Sequence, residues 1–237
     1  DHMDEGDDHA GEHAAEAAHN YARFNASSLS AGLVWNFMPD YQWALNLSRS
    51  ERAPSAAEIY ANGAHIATKS YEVGLAYQLD EDGEMSLYNG KMQREIANNI
   101  DLGFRKISGD VTFSYNFFYN QVDNYLYQNF TDLTMEDLAG HSHYHDHADT
   151  GHDHDHGHDS FFVYQYQQHD AILYGMEFEL AYQFTPTQRL NVFADTVRAR
   201  LKNGGDTRYS NGDQLPRIPP LKAGLQYQYQ AQQWSAD

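Results

Sequence analysis

The chain has 237 residues, 34 of them acidic and 15 basic, for a formal charge of −19. That balance argues against a nucleic-acid partner, which needs a basic footprint. With no cysteine, disulfides, thiolate zinc sites, iron–sulfur clusters and thiol catalysis are excluded.

The charge is concentrated in two places. Residues 1–19 hold seven acids, four histidines and no base, and residues 132–159 hold eight acids, eight histidines and no base. The other 190 residues carry 19 acids and 15 bases, a nearly balanced body. No run approaches the ~18 apolar residues of a transmembrane helix. The acidic N-terminus lacks the apolar stretch of a signal peptide, and Asp1 is not a natural start, so the chain reads as an internal piece of a longer protein.

The first segment, 1–20, sets His2, His9, His13 and His19 among acids. His9 and His13 would share a face if Gly11–Ala18 is a short helix. The segment reads either as a metal-gathering outer loop or as a solvated acidic one.

From residue 21 to 237 the pattern is alternation. Apolar residues recur at Leu29, Ala31, Leu33, Trp35 and Phe37, then at Tyr41, Trp43, Leu45 and Leu47, then at Ile100, Leu102 and Phe104. They recur again at Val111, Phe113, Tyr115, Phe117 and Tyr119, with Phe118 as an exception on the polar parity. Tyr174 to Phe184 and Leu221 to Tyr229 repeat the pattern, and 189–201 fit it less cleanly. Period two means strands with one apolar face. Glu177 and Glu179 fall on the polar face.

Strands of roughly 10–18 residues are long for a soluble sheet, where ~5–6 is usual. Met38-Pro39-Asp40, Ser108-Gly109-Asp110 and Thr185-Pro186-Thr187 are tight turns, whereas 52–90, 129–160 and 202–217 are long connections. Short turns at one end and long loops at the other, with aromatics beside the short turns, are features of an outer-membrane barrel. The competing reading is a soluble extracellular β-sandwich that sequesters metal. The fold expected is therefore all-β: an antiparallel transmembrane β-barrel portion of about seven to eight strands, the last beginning near Gln233, with long His/Asp-rich outer loops. An open sheet with lipid-facing side chains cannot stand alone in a bilayer, so these strands belong to a bigger barrel.

The insertion at 129–160 contains the densest chemistry. His141, His143, His145 and His147 alternate, as do His152, His154, His156 and His158, with Asp146, Asp153 and Asp155 interleaved. Alternate residues of an extended chain lie ~6.5–7 Å apart on one side, so two imidazoles can converge on one ion. Zn²⁺ accepts imidazole nitrogen and carboxylate oxygen, and the aspartates can ligate or orient the histidines. Imidazole also suits copper, nickel and iron, and copper outcompetes zinc at an unstructured site. The motifs of metalloprotease, serine hydrolase and phosphate-binding enzymes are missing, so no enzyme is expected.

The stretch Arg52-Ala53-Pro54-Ser55, Glu58 to His65, Ala67-Thr68 and Tyr71-Glu72-Val73-Gly74, followed by Asn98 to Phe104, resembles a signature of TonB-dependent outer-membrane receptors. With the histidine-rich insertion, the zinc-receptor subfamily is the nearest resemblance. It implies a 22-stranded barrel around an N-terminal plug. It also implies import of a scarce cargo, here Zn²⁺ or, alternatively, haem, another metal such as nickel or copper, or a siderophore, driven by the TonB–ExbB–ExbD complex acting on a plug that this chain does not include. Outer-membrane lipid would be the surrounding partner. The resemblance makes His65 the candidate ligand for a tight site shared with the plug, and makes Glu58 and Glu72 residues that hold the loop by hydrogen bonds. His169, after a glutamine run, reads as facing solvent.

Overall fold

The computed structural model describes residues 24–80, 82–138, 161–202, 214–230 and 235–236. From β1 (Ser28–Met38) the chain turns at Pro39 into β2 (Tyr41–Arg52). The connection that follows carries the short helix α1 (Ala56–Tyr60), a hairpin of β3 (Asn62–His65) and β4 (Ser70–Val73), and another of β5 (Tyr77–Leu79) and β6 (Met85–Leu87). Then come β7 (Glu95–Lys106), β8 (Val111–Thr134), α2 (Met135–Leu138), β9 (Phe162–Thr185), β10 (Gln188–Leu201), β11 (Lys222–Gln230) and β12 (Ser235–Ala236).

The main sheet is an antiparallel meander in the order β1-β2-β7-β8-β9-β10-β11-β12. This is the expected all-β architecture, seven long strands and the start of an eighth. Among the described residues β1 pairs with β2 alone, so the sheet is open. β8 and β9 have 24 residues each, longer than the periodicity alone indicates. Residues 129–134, part of the expected outer insertion, continue β8. Two register shifts, between Val122 and Tyr125 and between Phe130 and Thr134, break the alternation there and hide the strand from a period-two reading.

The register rows show what each face is for. One row reads Trp35, Trp43, Phe104, Tyr115, Phe178, and the next reads Leu33, Leu45, Leu102, Phe117, Met176. These side chains share a face, and many are largely exposed: Leu33 at 64%, Trp35 at 62% and Phe117 at 48%. A sandwich would press this face against a second sheet. No second sheet covers it among the described residues, which is the geometry of strands facing lipid. Nearer the tight turns the face is aromatic: Trp43 stacks on Phe104 at 4.6 Å, Tyr115 meets Phe178 at 4.6 Å, and Tyr182 meets Phe184 at 4.3 Å.

The opposite face is polar, with Asn46 bonded to Asp101 at 3.1 Å and with Arg105, Asn116, Glu177, Glu179 and Asp195 on its rows. Two aromatics interrupt it for one reason. A Cβ on Gly175 would lie 2.6 Å from the Phe118 ring, and one on Gly224 would lie 2.2 Å from the Phe193 ring. Each ring covers the glycine directly opposite on the next strand, replacing the contact a side chain would make there. Buried apolar residues gather instead at the long-loop end, where Ala171, Ala199, Leu201 and Leu215 form a cluster and Ile59 of α1, Val73 of β4 and Val163 of β9 are also buried.

Candidate functional site

The connection after β2 is folded from its first residue. Ser55 caps α1, its hydroxyl accepting from the Glu58 N–H at 3.2 Å while the Glu58 carboxylate accepts from the Ser55 N–H at 2.7 Å. This reciprocal capping box satisfies donors that the helix start would leave open. Arg52, the last residue of β2, donates Nη1 to both Glu58 oxygens at 2.9 and 3.0 Å and Nη2 to Glu95 at 3.2 Å. One guanidinium thus joins the end of β2, the start of α1 and the start of β7 through charge-assisted bonds. Burial works against the ionised form of Glu58, but the Ser55 N–H and then the Arg52 guanidinium outweigh it and hold the carboxyl below its ordinary 4.5.

The signature's end explains its glycine. The Gly74 N–H donates to the Ala61 carbonyl at 2.7 Å, that of Leu75 to Glu58 at 3.0 Å, and that of Ala76 to Ile59 at 2.8 Å. A Cβ at Gly74 would sit 2.3 Å from the Ile59 carbonyl oxygen, so close backbone approach requires glycine here. β4 then pairs in parallel with the first residues of β9, from Ser70 opposite Phe162 to Val73 opposite Gln165. The hairpin carrying His65 is therefore stitched to β9 just where the chain resumes after the histidine-rich insertion.

His65 ends β3 and is exposed. Its Nδ1 lies 2.9 Å from the Thr68 hydroxyl. A ring held at one nitrogen keeps the other for a metal, a usual arrangement for ligating histidine. Glu58 holds the loop as the sequence implies, and Glu72 is half-buried in β4 opposite Gly63.

His169 departs from expectation. It sits within β9 opposite Tyr125, half-buried rather than turned to solvent, with Nδ1 3.2 Å from the Tyr127 hydroxyl. It lines a pocket of about 400 Å³ with Tyr77, Tyr88, Gln93, Tyr166 and Gln168. The glutamine run before it is what suggests a solvent-facing ring. The Tyr and Gln residues there in fact continue the strand past the apolar band.

His2, His9, His13 and His19, and the ligands expected between His141 and His158, lie outside the described residues. Among the described residues no three metal-ligating side chains come together. What sequence reasoning missed is the Arg52–Glu95 contact and the β4–β9 pairing. The first joins residues more than 40 positions apart, and the second rests on a strand of four residues, too short for periodicity to register.

The family model described as TonB dependent receptor-like, beta-barrel, matches residues 1–237. Among solved structures, the copper transporter OprC superposes with a TM-score of 0.58 at 15% identity, over 87% of this chain and 24% of its own. The siderophore receptor PirA from Acinetobacter baumannii superposes with a TM-score of 0.50 at 14% identity, over 87% of this chain and 27% of its own. The chain spans about a quarter of the length of these structures. At such identities what is shared is the fold.

Proposed function

Because the chain belongs to the TonB-dependent receptor-like β-barrel family, whose barrels lie in the outer membrane of Gram-negative bacteria, we propose that it forms part of the wall and outer loops of a receptor that imports zinc. The observation that carries this reading is the distribution of histidine. Four of the fourteen lie in residues 1–19 and eight in 132–159, both acidic and free of bases. Such segments gather divalent cations twice over: negative charge raises their local concentration within a Debye length of ~8 Å, and imidazole binds them.

In this reading the loops hold Zn²⁺ weakly and redundantly at His141, His143, His145, His147, His152, His154, His156 and His158, with Asp146, Asp153 and Asp155. His65 then contributes its free nitrogen to a tighter site. The TonB–ExbB–ExbD complex would release the ion inward through a plug domain. Titration calorimetry of the complete receptor tests this. Deleting 141–158 should remove several weak zinc sites, and His65→Ala should remove one tight site. Histidine must be neutral to ligate, so loop capture should fade as pH falls through ~6.5. Zinc retention unchanged at pH 5 would contradict histidine ligation.

The second reading is copper as cargo. OprC, with the same fold, is a copper transporter, and imidazole ligands favour Cu²⁺ over Zn²⁺. Haem is a further cargo that histidine could bind through its iron. Competition between Zn²⁺ and Cu²⁺ at the tight site, and a haem spectral titration, separate the three. Loss of the tight site for copper but not for zinc in His65→Ala would favour copper.

A further inference from the structure

The irregular alternation of β10 has a functional reading of its own. Its outward parity begins apolar, with Leu190, Val192 and Ala194, passes through Thr196, and then presents Arg198 and Arg200, both exposed. Arg198 lies on the row of Ala31, Leu47, Ile100, Tyr119 and Tyr174, and Arg200 on the mixed row of Leu29, Arg49, Asn98, Gln121 and Ile172. From the second row on, polar side chains enter the lipid-facing surface, with Arg49, Asn98, Gln121 and Arg200 beside Leu29 and Ile172. β10 therefore carries two guanidinium groups at the border of the apolar band, at the end bearing the long loops.

Among the described residues these charges meet no carboxylate. On β2 the base of the same row is balanced, since Arg49 lies 3.8 Å from Glu51, which Arg94 also engages at 3.0 Å. Neither Arg198 nor Arg200 has a carboxylate within ion-pairing distance among the described residues. Arg200 lies over the Tyr174 ring at 6.0 Å. Asp170, whose carbonyl accepts the Lys202 N–H, has its carboxylate engaged by the Asn124 N–H at 3.0 Å. A pair of outward arginines with no carboxylate partner among the described residues points to an anion supplied from outside.

The shape fits as well as the charge. β11 begins at Lys222 opposite Asp195, and the chain before it meets β10 again only at Gln214, which bridges Arg200, and Leu215, whose N–H donates to the Ala199 carbonyl at 3.2 Å. Between β10 and residues 214–221 lies a crevice of about 610 Å³, lined among others by Tyr174, Thr196, Arg198, Arg200, Arg217 and Leu221. Leu221, just before β11, and Leu225, on the outward face of β11 opposite Val192, are 67% and 68% exposed. Guanidinium groups above and bare leucines below match an amphiphile with a phosphate headgroup and acyl chains.

We propose that this crevice binds the phosphate-bearing headgroup of an outer-leaflet lipid, with Arg198 and Arg200 on the phosphate and acyl chain along Leu221 and Leu225. The site does not depend on which cargo the receptor carries.

Native mass spectrometry of the complete receptor in neutral detergent tests it, with bisphosphorylated lipid A, dephosphorylated lipid A and inorganic phosphate as probes. The phosphorylated lipid should be retained over the dephosphorylated one. The double substitution Arg198→Gln/Arg200→Gln should weaken it about tenfold or more, the scale of a lost charge-assisted contact. Arg198→Lys/Arg200→Lys should keep most of the binding, and Arg49→Gln, already paired with Glu51, should change nothing. Folded migration on unheated gels is checked for each variant, with Arg200→Gln alone as the milder substitution. Equal retention of both lipids, or undiminished binding in the Gln variants, overturns the proposal. Displacement by inorganic phosphate at the lipid's own concentration overturns the lipid assignment.

Discussion

A single methyl group at position 74 is enough to oppose the fold of the loop after β2. Gly74→Ala puts a carbon 2.3 Å from the Ile59 carbonyl oxygen, and relieving such an overlap costs about 1–3 kcal/mol. Proteolysis between residues 53 and 94 should become faster while the barrel's own melting stays put; unchanged cleavage would show that the approach of Gly74 to α1 is not needed. Glu58 gives the same loop a pH limit. Its folded carboxyl is held below the ordinary 4.5, so its contribution is present above that value and is lost as pH falls through the folded pKa. Amide exchange at Ile59 and Gly74 should accelerate as pH drops below 4.5 after correction for intrinsic rates, and Glu58→Gln should abolish that pH dependence. Sequence alone indicated that Glu58 holds the loop. It could not indicate that Arg52 bridges to Glu95, because that contact depends on how β2 and β7 lie side by side.

Among the elements, legibility followed length and regularity. β1, β2, β7 and β11 alternate cleanly and could be read directly. The membrane half of β8 could be read too, apart from Phe118, an apparent error that proves to be a ring laid over Gly175. The extensions of β8 and β9 past the band were illegible because bulges reset the parity and because Tyr and Gln replace the apolar signal. β3 to β6 were illegible because each has three or four residues. β10 was read as an imperfect strand, and its imperfections are Phe193 on the inner face and Arg198 and Arg200 on the outer. Candidate ligands in 141–158 were conspicuous from composition, yet composition fixes no geometry for them. His65 was identified by resemblance, and the structure adds the hairpin that presents it.

For the whole molecule, the outward apolar face makes a quantitative demand. Leu102 lies in the middle of that face and Asn98 at its polar border, two rows away on the same strand. An arginine at a bilayer midplane costs about 2–4 kcal/mol and near the interface about 0–1 kcal/mol. Leu102→Arg should therefore lower the free energy of folding into bilayers by several times more than Asn98→Arg, measured by denaturant titration of the complete receptor in vesicles. Equal costs would mean that the face does not meet lipid as assigned.

The parallel pairing of β4 with β9 also sets an order of assembly. Ser70 and Phe162 meet across roughly ninety residues of chain, and contacts of such sequence separation form late because the loop between them must close first. β7 and β8 lie between β2 and β9 in the sheet. The hairpin presenting His65 therefore has no edge to join until β9 is laid down beside β8. In assembly the wall strands β7, β8 and β9 come first, and the hairpin that carries His65 is fastened to them last.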